Sequence, residues 1–299
     1  MADGHDDAAI AERPHLLALG FRMLGTVSDA EDAVQETYTR WFGMTEAERA
    51  DVVSPRGWLT RTASRVCLDM LGSARARRER YVGEWLPEPV PAYAFPRASA
   101  LADTACDPLD HAALDDSIST ALLLVLETMT PAERVVFVLH DVFGMPFPEV
   151  AETVGRSPAA CRQLASSARR RVEVERGRTA TPAEHDRVVR AFAAAAAGGD
   201  LGALVAVLDP GVVLVSDGGG RVSAARRPVV GADNVARFLL GLAAKYPEST
   251  AELAPTGDGL AVLVRLGDRL DSVASVAVGD GVITGIRMVR NPDKLTQWS

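Results

Sequence analysis

The sequence predicts a multidomain fold: two all-α domains, the second carrying a helix-turn-helix, followed by an α+β domain with a curved antiparallel sheet. Three observations lead to it. Apolar residues recur at helical spacing over about residues 10–80 and again from about Ala113 to Val174; a proline-rich stretch separates these two sections; and beyond about Thr181 the chain turns rich in Ala, Val and Gly, with alternating apolar runs. The 299 residues suffice for two or three domains, each with its own core. The organisation read from them is a first domain over residues 1–80, a linker over 81–112, a helix-turn-helix domain over 113–176 and a terminal domain over 181–299.

In the first section, Ser28 with Glu31 three residues on forms a capping box, and a helix is expected from there to about Phe42. Ala30, Ala33, Val34, Tyr38 and Trp41 make its core stripe, leaving Asp32, Gln35 and Glu36 on the outer face. Ser54 as cap and Pro55 in the first position begin the next helix, expected to stop near Gly72. Its core side is Leu59, Ala63, Val66 and Met70, and its opposite face carries Trp58, Arg61 and Arg65. An aromatic beside arginines suits unpaired bases and their phosphates. An acidic helix face would repel DNA and suits a basic protein partner, although a plain solvated face has the same composition.

Pro87, Pro89, Pro91, Pro96 and Pro108 exclude a helix through the linker. Thr130-Pro131-Ala132-Glu133 is a second capping box, followed by Val135, Val136, Leu139 and Val142 as a core face. A short helix over about Pro148–Val154, a turn at Gly155, and Ser157-Pro158 opening a helix to about Arg171 give the helix-turn-helix. Leu164, Ala168 and Val172 hold the back of that second helix. Ala159, Ala160, Arg162, Gln163 and Ser166 then face the major groove, where Arg162 can pair with guanine and Gln163 with adenine, while Arg169, Arg170 and Arg171 suit phosphates. In the terminal domain, helices over Pro182–Ala197 and Asp200–Leu208 precede strands near Val212–Ser216, Leu260–Leu266, Ser272–Val278 and Val282–Val289.

The formal net charge of −8 conceals two basic islands. Residues 56–80 hold seven arginines against Asp69 and Glu79, and residues 156–178 hold seven against Glu173 and Glu175, a local +5 each. Apolar runs are too short for a membrane span, and the acidic N-terminus is unlike a signal peptide, so the cytoplasm is the expected compartment and no membrane partner is expected. Cys67, Cys106 and Cys161 suggest neither a disulfide framework nor a zinc site, and His5, His15, His111, His140 and His185 form no ligand pair. No catalytic residue, metal or cofactor is assigned.

The run from Asp29 to Tyr38, Gly57-Trp58-Leu59-Thr60-Arg61, and residues 126–172 resemble the two domains of extracytoplasmic-function sigma factors. The resemblance implies that core RNA polymerase and promoter DNA are the partners. The first domain would grip the polymerase and melt the −10 element, and the second would read the −35 element. Three further motifs resemble those of the sigma-factor group with a C-terminal SnoaL-like domain, a cone-shaped α+β fold with a pocket. They are Trp85-Leu86-Pro87-Glu88-Pro89, Asp217-Gly218-Gly219-Gly220 and Asn291-Pro292-Asp293-Lys294-Leu295. In that group the extra domain is taken to regulate the sigma factor in cis, which would make these motifs interdomain contacts. Glu84, Arg221 and Ser167 depart from the group's usual residues. The last would alter a phosphate contact or promoter preference.

Two alternatives belong to other classes. A SnoaL-like enzyme or small-molecule sensor fused to a DNA-binding module would need acid/base groups, for which His185, expected on an outer helix, and Asp217, Asp258 and Asp271 are the material. A stand-alone repressor would use the helix-turn-helix alone and leave the Trp58/Arg61/Arg65 face and the acidic face idle.

Overall fold

The structure, a computed structural model, describes residues 2–78, 81–95, 119–176 and 180–298. These fall into two compact units. The first holds residues 2–78, Phe95 and 125–172; the second holds 81–94, 119–124 and the described residues from 173 onward. Cys106, His111 and the later linker residues, Pro96 and Pro108 among them, lie outside the described residues.

The first unit is helical. Its N-terminal part consists of α1 (Ala2–Ala11), α2 (Arg13–Leu24), α3 (Val27–Phe42), α4 (Glu46–Ala50) and α5 (Pro55–Arg78). Leu16, Leu19, Phe21, Met23 and Leu24 of α2 pack with Trp41 of α3 and Leu59 of α5 in a core closed to solvent. Each such side chain contributes about 1.5–3 kcal/mol on burial. Gly20 permits the close approach of α2 and α3, since a Cβ there would stand 3.2 Å from the Ala30 backbone. Two boundaries differ from those expected. The cap of α3 is Thr26, which accepts from the Asp29 amide at 3.2 Å, so Ser28 lies inside the helix. Helix α5 runs through Gly72 because the Ala/Arg-rich segment beyond it favours helix enough to outweigh one glycine.

Helix α6 (Thr120–Glu127) is followed by α7 (Pro131–Phe137), a π-helical turn (Val138–Val142), α8 (Phe147–Val154) and α9 (Pro158–Arg176). The expected capping box at Thr130 and Glu133 is closed in both directions. Gly155, at φ 70°, ends α8 in the left-handed region, and the Ser157 hydroxyl accepts from the Ala160 amide at 3.2 Å to start α9. One buried cation ties these helices to the N-terminal ones. Arg134 donates to the Leu126 carbonyl, to the Met23 carbonyl at the end of α2, and to Glu127, each at 2.8 Å. Phe143 lies edge-on to His15 at 5.2 Å and beneath the Arg22 guanidinium at 5.6 Å.

The second unit contains α10 (Pro182–Ala197), α11 (Leu201–Ala206), β1 (Leu208–Asp217), β2 (Val229–Val230), α12 (Ala232–Lys245), β3 (Ser249–Thr256), β4 (Gly259–Leu266), β5 (Arg269–Gly279) and β6 (Val282–Val289). The strands form one sheet in the order β2-β1-β6-β5-β4-β3, antiparallel except where β1 runs parallel to β6. Register shifts in the β1–β6, β4–β5 and β5–β6 pairs bend it. The three helices fill one face with Val189, Phe192, Leu204 and Val235 against Val212, Leu214, Val276 and Ile286. On the other face Leu86 of the linker and Leu295 and Trp298 of the tail cover Ala261, Leu263, Val273 and Val289. Linker residues also extend one end of the sheet edge, with Pro91 bridging to Thr256 and the Ala92 amide donating to the Pro255 carbonyl at 3.0 Å.

Candidate nucleic-acid interface and linker clamp

Helix α5 places Trp58, Arg61 and Arg65 on one side, as their spacing requires. Trp58 is half-buried and leans edge-on against Trp41, ring centroids 5.2 Å apart, so part of its surface belongs to the core. The two arginines reach α8. Arg61 meets the Glu152 carboxylate at 3.2 Å, and Arg65 donates to the Glu152 carbonyl at 3.0 Å. Glu152 was invisible as a partner in the sequence, being 91 residues from Arg61.

In the helix-turn-helix, Cys161, Ala165, Ala168 and Val172 are the buried back of α9, with Leu164 half-buried beside them. Ala159, Arg162, Gln163, Ser166, Arg169 and Arg170 are exposed, and Ala160 is half-buried. Arg162 lies over the Phe147 ring at 5.5 Å, and that ring stacks on His140. Arg169 has a second attachment: its Nε pairs with the buried carboxylate of Asp141 in the π-helical turn. Arg171 donates to the Thr128 carbonyl at 2.7 Å, and the Ser167 hydroxyl donates to Glu133 at 3.0 Å. Serine at 167 therefore braces α9 against the α7 capping box. Burial raises the Glu133 carboxyl, but hydrogen bonds from the Thr130 amide and hydroxyl and from Ser167, with the Arg171 charge, outweigh it and hold it below the ordinary range.

Asp32, Gln35 and Glu36 are exposed on α3, with Glu36 paired to Arg40 at 3.0 Å. Beside them a groove of about 590 Å³ is lined by Arg13, Glu31, Val34, Gln35, Tyr38, Thr39 and Phe42. The face thus joins acidic groups to a recess of mixed polar and apolar lining.

Residues of the Trp85–Pro89, Asp217–Gly220 and Asn291–Leu295 motifs come together within the second unit, around Asp217 at the end of β1. Its carboxylate is wholly buried and accepts from the Tyr81 hydroxyl at 2.6 Å, the Lys294 ammonium at 2.7 Å, the Leu86 amide at 3.0 Å and the Gly219 amide at 3.0 Å. Lys294 also donates to the Leu86 carbonyl at 2.6 Å and lies over the rings of Trp85 (4.3 Å) and Tyr81 (4.8 Å). Asn291 donates to the Tyr81 hydroxyl at 2.9 Å, and the Trp298 indole to the Pro89 carbonyl at 2.8 Å. Gly219, at φ 59°, must lack a side chain because a Cβ would come within 2.3 Å of Asn291. Pro87, Pro89, Gly218 and Leu295 are buried here, while Gly220, Pro292 and Asp293 are exposed, Asp293 pairing with Arg221 at 3.2 Å. Burial first, and then the hydrogen bond and charge of Asp217, push the Tyr81 hydroxyl well above its ordinary value, so it stays a donor. Tyr81 and Trp298 were absent from the expected set; their aromatic character beside the motifs was the only signal.

The residues weighed for enzymatic chemistry are otherwise engaged. His185 is not on an outer surface: it is buried, with Nε2 against the Val276 carbonyl at 3.0 Å, because α10 packs on the sheet. Asp271 pairs with Arg290 at 2.9 Å, and Asp258 accepts from the Thr120 amide at 2.7 Å. Among the described residues no cluster of three or more His, Cys, Asp or Glu could hold a metal, and no helix is long and apolar enough to cross a membrane.

An N-terminal set of five helices with an arginine-bearing face, a helix-turn-helix and a bent-sheet domain together define a class. Residues 10–77 match the sigma-70 region 2 family, and residues 119–172 match sigma-70 region 4. The chain belongs to the extracytoplasmic-function sigma factors, which direct RNA polymerase to promoters. It is 39% identical over 304 residues to the RNA polymerase sigma factor SigJ of Mycobacterium tuberculosis, covering 96% of this chain and 91% of that protein. It is likewise 39% identical over 296 residues to the probable sigma factor SigI of that organism, covering 97% and 96%. The crystal structure of SigJ aligns with a TM-score of 0.71 at 38% identity over 96% of both chains, so the likeness extends through the C-terminal α+β domain.

Proposed function

We propose that the exposed face of α3, with Asp32, Gln35 and Glu36, is the contact for core RNA polymerase, and that Trp58, Arg61 and Arg65 receive the melted −10 strand. Ala159, Ala160, Arg162, Gln163 and Ser166 read the −35 duplex, with Arg170, and Arg169 once freed from Asp141, on its phosphates. The domain over residues 181–299 regulates this activity in cis by clamping the linker over residues 81–112 at its Tyr81–Pro89 end. The convergence of three distant motifs on the buried Asp217 carboxylate carries this reading. A ligand, or the polymerase itself, would switch the protein by binding one domain arrangement better than another.

The −10 and −35 elements are about 25 base pairs apart, or ~85 Å of duplex at about 3.4 Å per pair. Their two readers, which here touch through Glu152 and the arginines of α5, therefore separate on a promoter. Such work makes or breaks no bond in the protein, needs no cofactor, and takes place in the cytoplasm. Reversing the charge at both Asp32 and Glu36 to lysine is expected to abolish capture of core polymerase while leaving the circular dichroism spectrum unchanged. Undiminished capture by the folded variant refutes the assignment of that face.

A further inference from the structure

The start of α6 is completed by a residue from far along the chain. A helix leaves its first amides unpaired, and at three other helices of this protein the preceding residue serves them: Thr26 for α3, Thr130 for α7, Thr181 for α10. At α6 the local residue, Ser119, serves the Leu122 amide at 2.9 Å. The Thr120 and Ala121 amides instead donate to the two oxygens of Asp258, at 2.7 and 3.3 Å. Asp258 lies in the β3–β4 turn, 138 residues from Thr120. The Thr120 hydroxyl meets Ser275 of β5 at 3.3 Å, and Leu124 packs on the outer face of the sheet.

The turn is held rigidly in place for this contact. Thr256 accepts from the Asp258 amide at 3.2 Å and donates to the Gly259 carbonyl at 2.8 Å, and the Leu260 amide donates to Asp186 of α10 at 3.1 Å. A carboxylate so placed also meets the positive end of the helix dipole.

From this we infer that Asp258 is a positioning residue for promoter recognition: through it the C-terminal domain fixes the first turn of the helix that opens region 4. The inference deepens the proposed regulation in cis and rests on it. The linker clamp and the Asp258 cap then hold the chain on both sides of residues 96–118. Loss of the cap loosens the first turn of α6, through which the chain enters region 4, and the protein should then accept a wider range of distances between the two promoter elements.

The test uses the full-length chain as Asp258→Ala and Asp258→Asn, with Tyr81→Phe at the linker clamp for comparison. Amide exchange is followed over residues 119–127, and transcription by the holoenzyme is measured on promoters whose spacer is lengthened or shortened by one base pair. Asp258→Ala should speed exchange in the first turn of α6 about fivefold, the factor that one helix cap is worth, and should broaden the spacer preference. Asp258→Asn, which keeps an acceptor, should fall between it and the wild type. Unaltered exchange and an unaltered spacer profile in a folded Asp258→Ala protein overturn the proposal. If Tyr81→Phe then still changes transcription, regulation in cis survives without Asp258; if neither variant does, that reading falls as well.

Discussion

Asp217→Ala is expected to destabilise the C-terminal domain by about 3–5 kcal/mol, the cost of leaving one member of a buried ion pair without the other. Lys294 would remain in a site where its ammonium is buried against the Leu86 carbonyl, Trp85 and Tyr81, without the Asp217 carboxylate. The Tyr81 hydroxyl and the Leu86 and Gly219 amides would lose their acceptor in the same step. Replacing both partners, as in Asp217→Ala with Lys294→Met, removes the stranded charge and should recover a large part of the loss. Urea unfolding followed by tryptophan fluorescence measures this, since Trp85 and Trp298 both report on the clamp. A loss below about 1 kcal/mol for the single variant would mean that the carboxylate is dispensable and that the apolar face holds the linker by itself.

Arg134→Ala should cost the helical unit about 2–4 kcal/mol, because a buried donor set is removed from carbonyls that have no water to turn to. Its guanidinium is nearly closed to solvent, and burial pulls it down to about 10, yet it keeps its charge at neutral pH beside Glu127. The loss falls on two structures together, the Leu126 carbonyl at the end of α6 and the Met23 carbonyl at the end of α2. Arg134→Lys keeps the charge but cannot reach three acceptors in the plane of a guanidinium, so most of the destabilisation should persist. Thermal unfolding at fixed pH distinguishes the outcomes: equal melting temperatures for wild type and Arg134→Ala would remove Arg134 from the account of how the helices cohere.

What the sequence made legible was local. Ser54, Thr130 and Ser157 were found as caps because a cap and its amides lie within three residues of each other. The exposed face of α9 followed from helical periodicity alone. Strand β3 was missed because Glu252 and Pro255 on a half-exposed edge dilute the alternation that marks a strand. Helix α12 had its signal in Val235, Ala236, Leu239 and Leu242, but glycines at 231 and 241 obscured it. Of the linker clamp, Asp217 and Lys294 were each picked out by their motifs, while their pairing across 77 residues was not readable. Nothing local marks Glu152 as a partner of Arg61, or Asp258 as the cap of α6. Such contacts are made only once the chain has folded, and the same residue types on a solvated surface would look no different.

Regulation of this sigma factor by its own C-terminal domain is read out by in vitro transcription with purified core RNA polymerase on a genomic promoter library, comparing residues 1–299 with a chain ending near Arg178. Promoter-dependent transcripts that differ between the two forms in amount or in the promoters used are expected. Identical transcript profiles from the two forms would contradict regulation in cis, and the absence of transcripts from both, with folded protein and active core, would contradict the assignment of the polymerase and promoter contacts.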